Sequence, residues 1–349
     1  MSDPIRIGVV GLGWVGRCRH MPTLLSNRRF KLVGVADRHG ERAVQLAASM
    51  PGVRSGNGAS LNSIDWIDDV DAISIATPPT AHHDLVCEAL GRGLHVVTEK
   101  PFAMSVAEGE EMAASAKAAV RVLAIVHNFQ FARSMQLLRA DLFAGRLGTI
   151  RSIRAVQLGN PLRRLPEWYE ELPLGLFYDE SPHLLYLLAS VAGPLTLLKA
   201  VAAESRSGHE TPDQIDAWFT AEGSDYPITL SCNFQSSVSE WYLIVHGDKA
   251  AGIVDIFRDI CLRLPNDRTH ATLDVIRTSF AATAQHWTQH LSSGIPHLLG
   301  KLRYGNNEVF NRFASAIGGD TDQLEPINAE AALKVLQLQH DIISGRERV

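Results

Sequence analysis

The chain has 349 residues, 46% of them hydrophobic and 20% charged, with a formal net charge of -5. This length predicts a globular protein of about two domains, and the mild, unclustered charge argues against nucleic acid or an anionic membrane as partner. We expect no secretion signal, because a strand pattern begins at Ile5, and no transmembrane helix, because every apolar run is short. Four scattered cysteines without a Cys-x-x-Cys pair indicate reduced thiols and a cytoplasmic location.

A glycine motif follows the first predicted strand, Ile5 to Val10, and opens a helix predicted from Val15 to about Leu25. Gly11 allows a tight turn, Gly13 lets the backbone approach a pyrophosphate, and Gly16 lets the helix pack close to the strand. The helix N-terminus also offers unpaired N–H groups to phosphate. The motif predicts a dinucleotide site formed by Gly11, Gly13, Trp14 and Val15.

Asp37 follows the next predicted strand, Lys31 to Ala36. It lies about 20 residues after the glycine motif, where an acidic residue binds the adenosine ribose hydroxyls of NAD. Its charge repels the 2′-phosphate of NADP, whereas the guanidinium of Arg38 can pair with that phosphate. Asp37 could instead cap the helix predicted to follow. We predict NAD as cofactor, with NADP as the alternative.

Strands and helices alternate up to residue 126, which predicts an α/β Rossmann domain with a doubly wound parallel sheet over residues 1–126. The helices are predicted at 40–50, 82–90 and 106–119, the strands at 71–76, 94–98 and 122–126, and a glycine-rich connection at 51–60. Thr77 and Pro78 lie in a rigid loop suited to a flat ligand. His82 follows, and packing on this loop is favoured over a catalytic role.

The segment Glu99-Lys100-Pro101 ends the strand that precedes it, because Pro101 has no N–H for the sheet ladder. A lysine at the carboxyl end of a strand lies where open α/β sheets bind ligands. A lone lysine in this position would more often be a surface residue. The preceding dinucleotide motif favours a functional role for Lys100.

Four motifs together resemble the glucose–fructose oxidoreductase, inositol dehydrogenase and MocA family. They are the glycine motif, Ala36-Asp37, Thr77-Pro78-Pro79 with His82, and Glu99-Lys100-Pro101 after Gly93-Leu94-His95-Val96. The resemblance extends to the C-terminus. It implies that Glu99, Lys100 and Asn128 contact the cofactor. It also argues against an acidic substrate, because Gln130 stands where many relatives have arginine.

The pattern of strands and helices in residues 127–349 predicts an α+β domain with a large, mostly antiparallel open sheet. A helix is expected at 134–144, strands at 150–159, 216–220, 228–234 and 241–247, and a last helix at about 329–343. In the family that the chain resembles, such a sheet often pairs subunits. The resemblance therefore implies a homodimer or homotetramer through this sheet, with a substrate-binding role for the same domain.

Asp179 and His183 lie one turn apart at the start of a helix, so they share a face. A carboxylate there can orient the imidazole and favour its protonated form. Asp179 could instead cap the helix while His183 packs in the core. The family has a similar Asp-x-Gly-x-His segment, in which Ser181 replaces the glycine here, and the resemblance favours catalytic roles for both residues.

The predicted reaction is reversible hydride transfer between a carbinol of a sugar, polyol or sugar derivative and the nicotinamide, a substrate class implied by the resemblance alone. Lys100 and His183 share the acid–base work, and either could be the general base. The sequence has no His, Cys and carboxylate cluster with metal-ligand spacing, so no metal is predicted. Three alternatives stay open: an NAD-retaining enzyme that processes glycosides, an NADP-dependent sugar reductase, and a non-catalytic NAD(H) sensor.

Overall fold

Two β-sheets organise the chain in this computed structural model, which describes residues 3–165 and 167–349. The first unit comprises Met1–Asn128 and Asn306–Gln337, and the second comprises Phe129–Gly305 and Leu338–Val349. The predicted division placed every residue after 126 in the second domain. The observed units differ from it because a C-terminal segment belongs to the first unit.

The sheet of the first unit has six parallel strands in the order β3-β2-β1-β4-β5-β6. This is the order of a dinucleotide-binding Rossmann fold, and it confirms the predicted doubly wound sheet. The strands are β1 (Ile5–Val10), β2 (Phe30–Asp37), β3 (Arg54–Asn57), β4 (Ala72–Ile75), β5 (His95–Thr98) and β6 (Leu123–Ile125). The helices are α1 (Met21–Ser26), α2 (Gly40–Ala48), α3 (His82–Gly91) and α4 (Val106–Ala119).

Two local features of this sheet differ from the sequence prediction. The connection predicted at 51–60 contains β3, which has a single buried residue, Gly56, and so lacks the apolar pattern of a strand. The helix predicted from Val15 begins as a π-helical turn over Gly16–His20 before α1 continues it. Short π-helical turns are frequent at functional sites.

The sheet of the second unit has eight strands in the order β13-β12-β11-β7-β10-β9-β8-β14. Strands β7 and β10, and β8 and β14, pair in parallel, whereas the other neighbours are antiparallel, which confirms a mostly antiparallel sheet. The strands are β7 (Ile150–Leu158), β8 (Leu195–Ala203), β9 (Gln214–Ala221), β10 (Ile228–Asn233), β11 (Glu240–Gly247), β12 (Ala250–Asp255), β13 (Ile260–Pro265) and β14 (Glu347–Arg348). The helices are α5 (Arg133–Phe143), α6 (Leu176–Ala192) and α7 (Thr272–Leu298).

The sequence analysis did not predict helix α7. In the structure its apolar side chains form no buried stripe. Phe280, Trp287 and Leu291 are 73%, 61% and 62% exposed, respectively, although α7 packs along β13. Across the residues that the structure describes, no helix has both the length and the hydropathy needed to cross a bilayer.

Helix α8 (Asn306–Ile317) returns the chain to the first unit. Its Phe310 and Phe313 rings lie 6.0 and 6.4 Å from the ring of Phe30 at the start of β2. This aromatic cluster explains why the segment belongs with the parallel sheet. Helix α9 (Ala329–Gly345) follows and matches the predicted last helix.

Helix α6 contains a proline, Pro182, in its interior. Proline has no N–H, so the carbonyl of Tyr178, four residues earlier, lacks its helical donor. The buried side chain of Gln339 replaces that donor: its Nε2 donates to the Tyr178 carbonyl at 2.7 Å and to Ser181 Oγ at 2.9 Å. The second unit thus closes a gap in α6 with a side chain from its C-terminal segment.

We expect Gln339→Leu to lower the free energy of unfolding by about 1–3 kcal/mol, because the buried carbonyl and hydroxyl lose their donor. Denaturant unfolding measures this loss. Lys334→Leu is the control on the exposed side of α9, and it should change stability by less than about 0.5 kcal/mol. Equal stability of the two variants would contradict the role of Gln339.

Candidate active site

In the loop after β1, which we call the glycine loop, two of the three motif glycines have no room for a side chain, whereas the third has free space beside it. Gly11 has φ of 92°, and a Cβ there would lie 2.5 Å from the backbone of Ala76. A Cβ on Gly16 would lie 2.1 Å from the carbonyl oxygen of Gly11. Nothing lies within 4 Å of the corresponding position on Gly13. Gly11 and Gly16 therefore permit the turn, whereas Gly13 leaves free space beside the backbone.

Asp37 is buried at the end of β2, and both of its carboxylate oxygens bind backbone. Oδ2 accepts the Leu12 N–H at 2.7 Å, and Oδ1 accepts the His39 N–H at 2.9 Å. The Arg42 guanidinium lies 3.8 Å from Oδ1. The residue that precedes α2 is His39, and no side chain caps this helix, so the helix-cap alternative for Asp37 is wrong. Asp37 instead fixes the glycine loop against β2.

The other predicted cofactor residues of this loop region differ in exposure. Trp14 is 54% exposed, and the guanidinium carbon of Arg19 lies 4.7 Å from its ring centroid, within range of a cation–π contact. Arg38 is exposed, whereas Val15, Thr77 and Pro78 are half-buried. The exposed aromatic ring of Trp14 and the free space beside Gly13 thus lie on the same short segment.

His82 links two loops of the first unit. Its Nδ1 lies 2.8 Å from the Pro101 carbonyl oxygen, and its Nε2 lies 3.1 Å from the carbonyl oxygen of Thr77. Burial lowers the pKa of this imidazole, although both carbonyls favour the protonated form. This geometry supports the packing interpretation of His82, in which the residue holds the loop after β4 against the segment after β5.

Glu99 at the end of β5 is the centre of a buried hydrogen-bonded chain. Its Oε1 lies 2.8 Å from Nε2 of His20, and its Oε2 accepts the Lys100 N–H at 3.1 Å. Nδ1 of His20 lies 2.7 Å from Ser74 Oγ on β4. The Ser74 hydroxyl can donate to Nδ1 of His20, and Nε2–H of His20 can donate to Glu99. Each hydrogen bond in this series then has one donor and one acceptor.

The charge of Glu99 is stabilised although the residue is buried. Burial alone raises the pKa of a carboxyl group, but the hydrogen bond from His20, together with Lys100, holds the pKa of Glu99 below its ordinary value. His127, after β6, is also buried, and burial lowers its pKa to about 3, so it stays neutral. The peptide bond between Lys100 and Pro101 is cis. Lys100 thus follows a carboxylate with a fixed position and a fixed charge.

The sequence analysis did not identify His20. Its partners Ser74 and Glu99 are far from it along the chain, and a histidine in a helix after a glycine motif has no distinguishing pattern. The π-helical turn over Gly16–His20 accompanies its completely buried position. Asn128, another predicted cofactor residue, is buried at the end of the first unit.

In the second unit, α6 contains both predicted catalytic residues, Asp179 and His183. His183 is buried, and its Nδ1 lies 2.8 Å from the hydroxyl of Tyr186. The Tyr186 hydroxyl also accepts the Phe129 N–H at 3.1 Å. The imidazole lies edge-on to the Phe129 ring at 4.8 Å, and 5.5 Å from the Trp241 ring. Asp179 lies one turn before His183 and is half-buried. Tyr186 is therefore the residue that orients the His183 imidazole, and the sequence analysis missed it.

Glu180, next to Asp179, was also not identified from the sequence. Its carboxylate is buried and lies 2.6 Å from a guanidinium nitrogen of Arg163. Gln157 on β7 donates a hydrogen bond to the same carboxylate. These contacts fix the loop after β7 to α6, in the turn of the helix that bears Asp179.

Comparisons with known proteins give an independent assignment. A family described as "Oxidoreductase family, NAD-binding Rossmann fold" (GFO/IDH/MocA) matches residues 5–127, and the C-terminal domain of the same family matches residues 135–252. The chain belongs to this family. It is an NAD(P)-dependent oxidoreductase, which confirms the class of enzyme and of cofactor expected from the sequence.

Curated relatives and solved structures are similar to the chain over much of its length. An uncharacterised oxidoreductase of Escherichia coli K12 is 28% identical over 72% of this chain and 71% of its own. The UDP-N-acetylglucosamine 3-dehydrogenase of Acidithiobacillus ferrooxidans is 32% identical over 62% and 63%, respectively. The WlbA dehydrogenase of Bordetella pertussis, solved with NADH and UDP-GlcNAcA, has a TM-score of 0.76, 20% identity and coverage of 99% and 96%; it supports the fold alone.

The free space beside Gly13 predicts different outcomes for two alanine substitutions. Gly13→Ala should leave the free energy of unfolding within about 0.5 kcal/mol of wild type, because its Cβ contacts nothing. It should weaken NAD binding at least about tenfold by filling the space for the cofactor, as calorimetry can measure. Gly16→Ala should destabilise the fold by about 1–3 kcal/mol through its clash with Gly11. Unchanged NAD affinity of Gly13→Ala would contradict this assignment.

His20→Leu should lower the free energy of unfolding at neutral pH by about 3–5 kcal/mol, because Glu99 loses its buried partner. In the wild type, the lowered pKa of Glu99 makes its ionised form stabilising above about pH 4.5, and this contribution is lost as pH falls through the folded pKa. In His20→Leu the unpaired carboxyl group should protonate at higher pH. The stability difference should therefore narrow as pH falls.

His20→Gln is the control for this prediction, because the amide can still donate a hydrogen bond to Glu99. It should recover most of the stability that His20→Leu loses. Unfolding curves measured at several pH values test both variants, and a stability gap that does not change with pH would contradict the pairing with Glu99.

Proposed function

We propose that the chain transfers a hydride between a CH–OH carbon of a sugar, polyol or sugar derivative and nicotinamide. The observation that carries this proposal is the position of Lys100, which follows β5 and a buried, fully hydrogen-bonded Glu99 beside a glycine loop. The relative from Acidithiobacillus, by its name, oxidises a nucleotide sugar at a ring hydroxyl. Other family relatives are named as a D-glucoside 3-dehydrogenase and a scyllo-inositol 2-dehydrogenase.

NAD is the proposed cofactor, and when bound it supplies the hydride acceptor. The buried Asp37 carboxylate disfavours the 2′-phosphate of NADP, while the exposed Arg38 keeps NADP as the alternative. The space beside Gly13 fits the close approach of a pyrophosphate. The proposed binding residues are Gly11, Gly13, Trp14, Val15, Asp37, Arg38, Thr77, Pro78, His82, Glu99, Lys100 and Asn128.

Lys100, Asp179 and His183 are the proposed catalytic residues. Lys100 hydrogen-bonds the substrate oxygen and stabilises the developing alkoxide, and His183 exchanges the hydroxyl proton through Nε2. Tyr186 supports both directions of the reaction, because its hydroxyl can accept from Nδ1–H or donate to Nδ1. In the first arrangement Nε2 is unprotonated and can act as a base, and in the second it is protonated and can act as an acid. Asp179, one helical turn before His183 on α6, has the proposed role of orienting the imidazole.

We also propose that residues 1–126 form the dinucleotide-binding domain and that the second unit binds substrate and pairs subunits in a cytoplasmic homodimer or homotetramer. The outer face of the second sheet supports the pairing. One row across paired strands there contains Ile253, Ile244, Arg154, Thr229 and Trp218, all half-buried or exposed. This mixture of apolar and polar groups resembles a subunit interface more than a sheet face in water.

Lys100→Met should reduce turnover by about 10²–10⁴-fold and weaken NAD binding far less, because methionine keeps the length of the side chain but cannot donate a proton or hydrogen bond, and the other proposed cofactor contacts remain. The assay follows reduced-nicotinamide absorbance while polyols, sugars and nucleotide sugars are added in turn with NAD or NADP. Lys117→Met, at an exposed position of α4, is the matched control and should keep full activity.

Full activity of Lys100→Met would exclude its catalytic role. Tight NAD binding by the wild type without reduced cofactor from any substrate would favour a glycoside-processing enzyme that retains its cofactor, or an NAD(H) sensor. A strong preference for NADP would favour the sugar-reductase alternative and would assign the 2′-phosphate to Arg38.

A further inference from the structure

A histidine, a cysteine and a glutamate meet on the surface of the first unit. His83 and Cys87 lie one turn apart on α3, and Glu111 lies on α4, which packs against α3. Their ligand atoms, the imidazole nitrogen, Sγ and a carboxylate oxygen, all lie within 4.8 Å of one another. Within this His83–Cys87–Glu111 cluster, His83 Nε2 is 3.1 Å from Glu111 Oε2.

The groups around the cluster are arranged as they are in metal sites. Asp84 Oδ1 lies 2.9 Å from His83 Nδ1, so a proton on Nδ1 can be donated to this carboxylate. Metal-binding histidines commonly donate their second ring N–H to a carboxylate in this way, which fixes the tautomer and the ring orientation. Nε2 is then the nitrogen that faces Glu111. Ser115 Oγ lies 3.9 Å from the Cys87 Sγ.

We propose that the His83–Cys87–Glu111 cluster binds a divalent transition-metal cation of the Zn²⁺ class, with water in the fourth position. Nitrogen, thiolate and carboxylate donors together select a borderline-soft tetrahedral cation over Mg²⁺ or Ca²⁺, which take oxygen ligands. Glu111 is 66% exposed at its side chain and His83 25%, so the cation has access from solvent. The sequence prediction of no metal site missed this cluster, because Glu111 lies on another helix.

Binding here would join α3 to α4 with three ligands from two helices. Each ligand is already part of a folded element, so the cation should bind the folded unit more tightly than the unfolded chain. The metal should therefore raise the melting temperature of the protein. This effect is independent of the hydride-transfer proposal, because none of the three ligands belongs to the proposed cofactor or catalytic residues.

Co²⁺ is the probe that tests the proposal, because its absorption reports both thiolate ligation and tetrahedral geometry. The full-length protein is freed of affinity tag and metal, kept reduced, and titrated with Co²⁺ and then with Zn²⁺. We expect one Co²⁺ per chain with a thiolate-to-cobalt charge-transfer band, which Zn²⁺ displaces. Zn²⁺ should also raise the melting temperature of the wild type.

Cys87→Ser should lose the charge-transfer band, and Glu111→Gln should weaken Co²⁺ binding at least about tenfold. Glu111→Gln changes an exposed side chain, so it keeps the test valid if Cys87→Ser folds poorly. Two controls should retain the band. Cys18→Ser removes the other partly exposed thiol, and His290→Asn disrupts the His286–His290 pair on α7, whose rings lie 5.9 Å apart and could chelate a metal separately.

Three results would overturn the proposal: no charge-transfer band in the wild type, a band that persists in Cys87→Ser, or a band lost in either control. Binding of Co²⁺ that is unchanged in Glu111→Gln would exclude the carboxylate as a ligand and with it the three-residue site. Activity with substrate and NAD is measured on the same samples. A site that binds Co²⁺ in an inactive protein would support the metal proposal while contradicting the proposed function.

Discussion

The hydrogen bond between His20 and Glu99 is the constraint on which the loops around Lys100 depend. A carboxylate buried in a protein is costly unless it is paired and hydrogen-bonded, and here the partner comes from the turn that follows the glycine loop. The same pair connects that turn to β4 through Ser74 and to the Lys100 backbone through Glu99. Three segments distant in sequence, the glycine loop, the end of β4 and the end of β5, are thereby held in one arrangement.

In the second unit, neutral hydrogen-bonding groups hold the residues around His183 in place. Pro182 interrupts the hydrogen bonds of α6 just before His183, and Gln339 restores the missing donor. Tyr186 then fixes the imidazole from within the helix, while Phe129 fixes Tyr186. In both units a residue proposed for catalysis is adjacent to a group that hydrogen bonds hold in place, which limits the number of positions that the reactive side chain can adopt.

The sequence was sufficient to predict most elements of the first 126 residues, whose pattern is local. The alternation of apolar strands and helices gave the parallel sheet, and the glycine motif, Asp37 and the Glu99–Pro101 segment gave the loops that surround it. The sequence could not predict hydrogen-bond partners that lie far apart along the chain. His20 is such a partner for Glu99, and Gln339 for the carbonyl of Tyr178. Strand β3 and helix α7 were missed for another reason, since predictions from sequence depend on apolar residues at regular spacing that form one buried face, and neither element has such a face.

His82 and His83 show why residue type and spacing alone do not assign chemistry. They are neighbours at the start of α3. Burial lowers the pKa of His82, although its two carbonyl partners favour the protonated form, whereas Asp84 and Glu111 raise the pKa of His83 against partial burial. The first histidine is thereby kept neutral as a link between loops, and the second faces carboxylates that also suit a cation. Because both lie on one helical turn, a cation held by His83 would stabilise the same turn that positions His82 against Pro101.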